Sequence, residues 1–143
     1  MPAGKIECVL TNWRTDGPAL QKIRREVFIA EQGFAESEEW DEDDTVSCHA
    51  LVTLNREPVG TGRLNPGGKI GRIAVTAGLR GRGIGTMILR RLLDEACRRG
   101  IREPYLHAQV QALPFYEKLG FRREGDVFDE VGVSHVRMRR SLE

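Results

Sequence analysis

Residues 72–89 read RIAVTAGLRGRGIGTMIL, and the glycines at 81, 83 and 85 decide what the surrounding chain must be. They alternate with Arg82 and Ile84, between a short apolar run (Ile73, Ala74, Val75) and a longer one whose apolar residues recur at helical spacing. A helix N-terminus leaves backbone N–H groups unpaired and carries partial positive charge, so it draws phosphate wherever no side chain blocks the approach. Glycine removes that block, and Arg80 and Arg82 add charge beside the bare amides. A pyrophosphate or similar dianion is the natural occupant of such a strand-to-helix turn. Two phosphate motifs do not fit. A P-loop requires a lysine in G-x-x-x-x-G-K-[S/T], and none stands here. The dinucleotide fingerprint requires G-x-G-x-x-G, whereas Gly81 opens G-x-G-x-G, and Glu103 begins the following strand where a ribose-binding acid would end it.

On the C-terminal side of the turn, residues 83–99 form the strongest helix pattern in the chain. Ile84, Ile88, Leu92 and Ala96 line one stripe, widened by Leu89 and Leu93, with Asp94–Arg98 and Glu95–Arg99 as i,i+4 pairs and Gly100 as the stop. On the N-terminal side, residues 69–75, 59–65 and 46–54 read as an antiparallel meander joined by PGG and by a turn over residues 55–58. In the earliest of these runs Val46, Cys48, Ala50, Val52 and Leu54 share one face, and Ser47, His49 and Thr53 share a wetter one. Before them come a strand over residues 5–10 and a helix opened by Gly17-Pro18, with Leu20, Ile23, Val27 and Ala30 at helical spacing, ending near Gly33. An acidic loop, ESEEWDEDD at residues 36–44, follows. After Gly100 the pattern gives a strand at residues 102–108, a short helix at 112–120 and a closing hairpin of residues 121–128 and 131–140. The order βα, βββ, αβαββ is that of a mixed α/β (α+β) domain, and no internal linker divides residues 1–143.

A length of 143 residues suits one core, and the net charge of +1 argues against a chain built to grip nucleic acid. No leader-like h-region or 18-residue apolar run is present, so neither export nor a membrane span is expected. Cys8, Cys48 and Cys97 are widely spaced without a C-x-x-C pair, which argues against a disulfide framework or metal site. Cys48 and Cys97 fall at apolar positions and read as buried thiols of a cytoplasmic protein.

Arg80-x-x-Gly83-x-Gly85 matches an R/Q-x-x-G-x-G/A signature, and with FYEKLGF some 30 residues on it makes the chain resemble the GNAT superfamily of N-acetyltransferases. The likeness extends over nearly the whole length: RIAV looks like the family's fourth strand, RGRGIG its phosphate loop and ALPFYEKLGF its last helix and following strand. RREVFIAEQGF, CHALV, GTGRL, LHAQV and FDEVGVSHVRM are similar to a small bacterial subgroup called ElaA-like. The resemblance implies a mostly antiparallel central sheet of about six to seven strands flanked by helices. It implies acetyl-coenzyme A as cosubstrate, with Ile73, Ala74 and Val75 beside the pantetheine and Arg80, Gly81, Arg82, Gly83, Ile84, Gly85 and Thr86 around the pyrophosphate. Where the family commonly has asparagine three residues before the alanine of the last helix, Gln109 precedes Ala112 and keeps the amide on a longer arm.

The implied reaction moves an acetyl group to an amine of a small molecule or peptide. An alkyl amine near pKa ~10.4 must first lose a proton, and the departing thiolate must be met by a donor. The resemblance puts Tyr116 over the thioester sulfur, and Val75 is the candidate backbone donor to the oxyanion if its strand bends from its neighbour. Glu31, His107 and His135 are the candidate bases, although His135 shares a strand face with Val131 and Val133 and also reads as a satisfied core residue. The acidic loop with Trp40 suits a cationic acceptor, whereas Arg63 and Arg72 on adjacent strands suit a carboxylate or phosphate. An edge strand in the C-terminal hairpin could pair with a copy of itself, giving a homodimer. Two other readings stay open. Arg24, Phe28, Trp40 and the acids at residues 41–44 loosely echo acyl-homoserine-lactone synthases of the same fold, and a coenzyme A-binding sensor would keep the pocket without turnover.

Overall fold

In the computed structural model, which describes residues 4–142, the meander read from the sequence lies inside a seven-stranded sheet. β1 (Ile6–Thr11), β2 (Cys48–Leu54), β3 (Glu57–Leu64) and β4 (Lys69–Val75) pair antiparallel in chain order. β5 (Tyr105–Gln109) joins β4 in parallel. The closing hairpin of β6 (Arg122–Glu130) and β7 (Val133–Arg139) folds back so that β7 lies against β5, and the strand order is β1-β2-β3-β4-β5-β7-β6. This is the mixed, mostly antiparallel α/β architecture expected. The turn between β2 and β3 is a two-residue loop with Asn55 at φ 51 and Arg56 at φ 72, the left-handed pair that matches strand twist in a type I′ hairpin.

One sheet face is covered by α4 (Ile84–Arg98), whose stripe of Ile84, Ile88, Leu89, Leu92 and Ala96 packs on Ala50, Val52, Leu64, Ile70 and Leu106. The close approach depends on β3: a Cβ at Gly62 would lie 2.6 Å from Ile88 Cγ2 and 3.0 Å from Leu92 Cδ1. The glycines of GTG thus serve packing. The other face carries α1 (Trp13–Arg24) and its π-helical continuation Arg25–Glu31, with Leu20, Ile23, Val27 and Phe28 buried on Leu51 and Ala74.

Several boundaries differ from the sequence reading, each for a local reason. The first helix starts at Trp13, because the Asn12 side chain accepts from the Thr15 N–H at 2.8 Å, and kinks at Asp16 ahead of Pro18. Its wide π turns rotate the face, so Phe28 is buried and Ala30 exposed. The acidic stretch is not a loop throughout; it forms two single-turn helices, α2 (Glu36–Glu39) and α3 (Asp43–Val46). Val46 closes α3 with 59% of its surface exposed, and β2 begins at Cys48 with both faces covered. His49 is therefore fully buried, its Nε2 2.9 Å from the Asp44 carbonyl. Cys97 is exposed rather than buried, and Glu95 takes both Arg98 and Arg99, displacing the Asp94–Arg98 pairing. α5 (Leu113–Lys118) completes the helices and ends before Gly120 at φ 90. Among the described residues, no helix is long and apolar enough to cross a membrane.

Candidate active site

The glycine turn holds open the niche its composition predicts. Gly81 and Gly83 sit at φ 78 and 81, in the left-handed region that glycine adopts without a steric cost, and a Cβ at either would meet nothing within 4 Å. Gly83 is the residue before α4, and the first bond of that helix runs from Met87 N–H to the Gly83 carbonyl at 3.0 Å. Among the described residues, no acceptor meets the backbone N–H groups from Gly81 through Thr86. A row of unpaired donors at the positive end of a 15-residue helix favours an anion. Arg82 stands exposed beside it, without an ion pair among the described residues.

Upstream, β4 and β5 are paired only at Lys69–Tyr105 and Ile70–Leu106, and beyond that point they part. The separation coincides with a bulge. Arg72 adopts φ 53, unusual for a non-glycine residue, and the β3–β4 register shifts between Thr61 and Arg63. Past the bulge, Thr76 N–H donates to the Val59 carbonyl at 2.9 Å, so ladder alternation turns both polar groups of Val75 away from β3. The Val75 carbonyl accepts from Arg80 Nε at 3.0 Å, and its N–H faces the gap toward β5. Arg80 also makes a bidentate pair with Glu31 at 2.5 and 2.6 Å, and its guanidinium holds the Glu31 carboxyl below the usual carboxylate range. On the other arm, Gln109 Nε2 donates to Gln32 Oε1 at 3.1 Å. Consecutive residues at the end of the first helix thus reach both sides of the split.

A cavity of about 430 Å³ runs through this region. Ile73, Gln109 and Tyr116 are among its lining residues, as are Arg63, Arg72, His107, Glu130 and His135. Tyr116 lies edge-on to Phe115 and Phe121, at 5.0 and 6.0 Å between ring centroids, and burial pushes its phenol up to about 12. His107 Nδ1 is 2.9 Å from Glu130 Oε1, and His135 Nε2 is 3.7 Å from Glu130 Oε2. His135 Nδ1 faces the Val133 carbonyl at 2.8 Å. Of the candidate bases, the two histidines meet in the cavity, and Glu31 lies outside its lining.

A family model described as acetyltransferase (GNAT) domain matches residues 19–142. The chain belongs to the GNAT acetyltransferase family. Among curated proteins it is 40% identical over 127 residues to YyaT of Bacillus subtilis, covering 85% of this chain and 86% of that one. ElaA of Escherichia coli is 30% identical over 133 residues (87% and 86%), and its crystal structure superimposes with a TM-score of 0.85 over 94% of this chain and 99% of that one, at 27% identity. An acyl-CoA N-acyltransferase from Pseudomonas aeruginosa superimposes with a TM-score of 0.86 over 96% and 100%, at 26% identity.

Against the GNAT sheet, the acidic segment is held by a feature that no short motif announces. Arg24, Asp44, Arg63, Asp41, Arg72 and Glu39 form a closed ring of alternating charge, with nitrogen–oxygen distances in turn of 2.6, 2.9, 2.7, 3.3, 3.1 and, back to Arg24, 2.8 Å. Three guanidiniums meet three carboxylates, so the set is neutral. Arg24 is wholly buried between Trp13 and Trp40, 5.3 and 5.1 Å from their centroids. Arg63 and Arg72, read from the sequence as anion binders, each spend their charge on two carboxylates of this ring. Its partners lie 15 to 33 positions apart along the chain, which is why composition alone registers only an acidic run.

Proposed function

We propose that the protein is an acetyl-coenzyme A-dependent N-acetyltransferase acting on a primary amine of a small molecule or peptide, in the reducing cytosol. The observation that carries this reading is a single one: beyond the last β4–β5 pair the strands border a cavity that contains Tyr116, and β4 runs on toward a loop whose six amides at residues 81–86 have no partner among the described residues. The loop fits a diphosphate, because Gly81 and Gly83 leave open space where side chains would stand. When bound, acetyl-coenzyme A supplies the acetyl group as a thioester and departs as the thiol.

The chain's own groups then have distinct tasks. The amides of residues 81–86, with Arg82, hold the pyrophosphate; Ile73 and Val75 flank the pantetheine, and Gln109 closes the opposite arm. Arg80 braces the loop through Glu31 and the Val75 carbonyl. The Val75 N–H, turned into the gap, donates to the carbonyl oxygen as negative charge develops there. Tyr116 stays protonated at any working pH, its phenol at about 12. Full transfer to a thiolate near 8.5 would run against about 3.5 pH units, so Tyr116 acts chiefly by donating a hydrogen bond to the sulfur as it gains charge. Tyr116→Phe removes that donor with little change of shape. We expect kcat to fall about 10- to 10²-fold, with acetyl-coenzyme A affinity by calorimetry within twofold. Unchanged turnover would remove Tyr116 from the mechanism.

A further inference from the structure

Acetyl transfer from a thioester to an alkylammonium yields an amide, a thiol and one free proton, so some group must take a proton from the acceptor before its nitrogen can attack. We infer that His107, oriented by Glu130, is that group; the inference rests on the acetyl-transfer reading above. The proton passes from the ammonium to His107 Nε2 and then to solvent. The freed lone pair forms the C–N bond as the C–S bond breaks, and the second proton lost by nitrogen ends on sulfur.

Position comes first. His107 is the first residue of β5 beyond the last pair with β4, so it stands where the strands begin to part, and it lines the same cavity as Tyr116. Its tautomer follows from its partner. A carboxylate accepts only from N–H, so the 2.9 Å contact with Glu130 Oε1 places the proton of the neutral ring on Nδ1 and leaves the Nε2 lone pair free. Burial raises the Glu130 carboxyl, but the His107 hydrogen bond and neighbouring charges outweigh it and hold the acid below its ordinary range, ionised when His107 needs it. The ring is fixed edge-on by Phe128, with centroids 5.0 Å apart.

The rival groups are placed less well. Glu31 is spent on both guanidinium nitrogens of Arg80. His135, only 7% exposed at its side chain, has Nδ1 at the Val133 carbonyl and Nε2 3.7 Å from Glu130, beyond hydrogen-bond distance, so no carboxylate orients it as Glu130 orients His107. The other titratable groups around His107 are Lys69 on β4, Tyr105 on β5 and Arg137, its register partner on β7. Lys69 and Arg137 are cationic and oppose a second positive charge, whereas Glu130 supports it.

Wild type, His107→Gln, Glu130→Gln and His135→Gln are compared by amine-dependent thiol release across pH, by coenzyme A calorimetry and by ¹⁵N imidazole NMR without cosubstrate. Wild type should lose kcat/KM on the acid side through one ionisation that matches the NMR titration of His107, with the Nδ1–H tautomer on its neutral side. His107→Gln should lower kcat/KM about 10²-fold at pH 7 and abolish that limb, with coenzyme A affinity within twofold. Glu130→Gln keeps an acceptor for Nδ1–H but loses the charge, so the limb should move to lower pH. An acid limb that survives His107→Gln, or follows His135→Gln instead, overturns the assignment, as does the Nε2–H tautomer. Wild type that turns over no amine overturns the parent reading as well, so the two failures are distinguishable.

Discussion

Arg24→Met lowers folding stability by about 3–5 kcal/mol, because it leaves Glu39 and Asp44 buried with one guanidinium fewer while keeping most of the side-chain volume. Those carboxylates are 5% and 2% exposed at their side chains, so water cannot take over from the missing charge. For a chain of this size the loss corresponds to a drop of roughly 10–15 °C in Tm, readable by thermal and urea denaturation. The deficit also depends on pH. In the native ring, burial raises the Asp44 carboxyl, but bonds from Arg24, the Asp41 backbone and Arg63 outweigh it and set it below its ordinary value. That contribution is complete above the ordinary carboxylate range and disappears as pH falls through the depressed value. In the variant the orphaned acids bind protons more readily folded than unfolded, so its stability rises relative to wild type as pH falls. The gap should be widest near pH 7 and narrow toward about pH 4. A loss below about 1 kcal/mol at neutral pH would mean that the ring is a surface ornament and not the clamp of the acidic segment.

Gly83→Asp should weaken acetyl-coenzyme A binding about 10³-fold or more, with the domain still folded. At φ 81 any side chain costs about 1–2 kcal/mol, and a carboxylate about 4 Å from a phosphate charge costs about 4 kcal/mol more at an effective dielectric of 20. The binding loss follows from the second figure alone, since about 1.4 kcal/mol is tenfold in Kd. No neighbouring atom lies within 4 Å of the new Cβ, so the core beneath α4 is untouched and the backbone strain alone should lower Tm, by roughly 3–6 °C. Calorimetry on the folded variant separates the effects. Affinity within tenfold of wild type would place the diphosphate elsewhere.

How legible the molecule was differs sharply between its parts. The loop, α4 and the meander were readable because their signals are local: glycines at alternate positions, a helical stripe and period-two strands. The family resemblance implied a sheet of about six to seven strands, but the strand order and the insertion of β7 between β5 and β6 were not read, because pairing between strands distant in the chain leaves no local periodicity. Long-range electrostatics was hidden. Glu39 and Asp44 look like any solvated acids in ESEEWDEDD, yet each is buried by a guanidinium from a distant element. Glu130 was missed for the same reason: its importance comes from standing opposite His107 across 23 residues of chain. The one available hint was Arg24, a charged residue in phase with Leu20 and Ile23 on the buried side of a helix, where a charge persists only when paired. β6, the predicted self-pairing edge, is broken between Glu124 and Phe128, with Gly125 at φ 85, so only short regular stretches face outward.

The central claim is that the split sheet delivers a thioester-borne acetyl group to an amine. The most direct measurement incubates the protein with acetyl-coenzyme A and a panel of small amines and peptides, following free thiol and acetylated product together. The account predicts at least one amine for which the two appear in equal amounts, and far less of both with Gly83→Asp at the same low acetyl-coenzyme A concentration. Acetyl-coenzyme A that binds with measurable heat yet is consumed with no amine in the panel would contradict it.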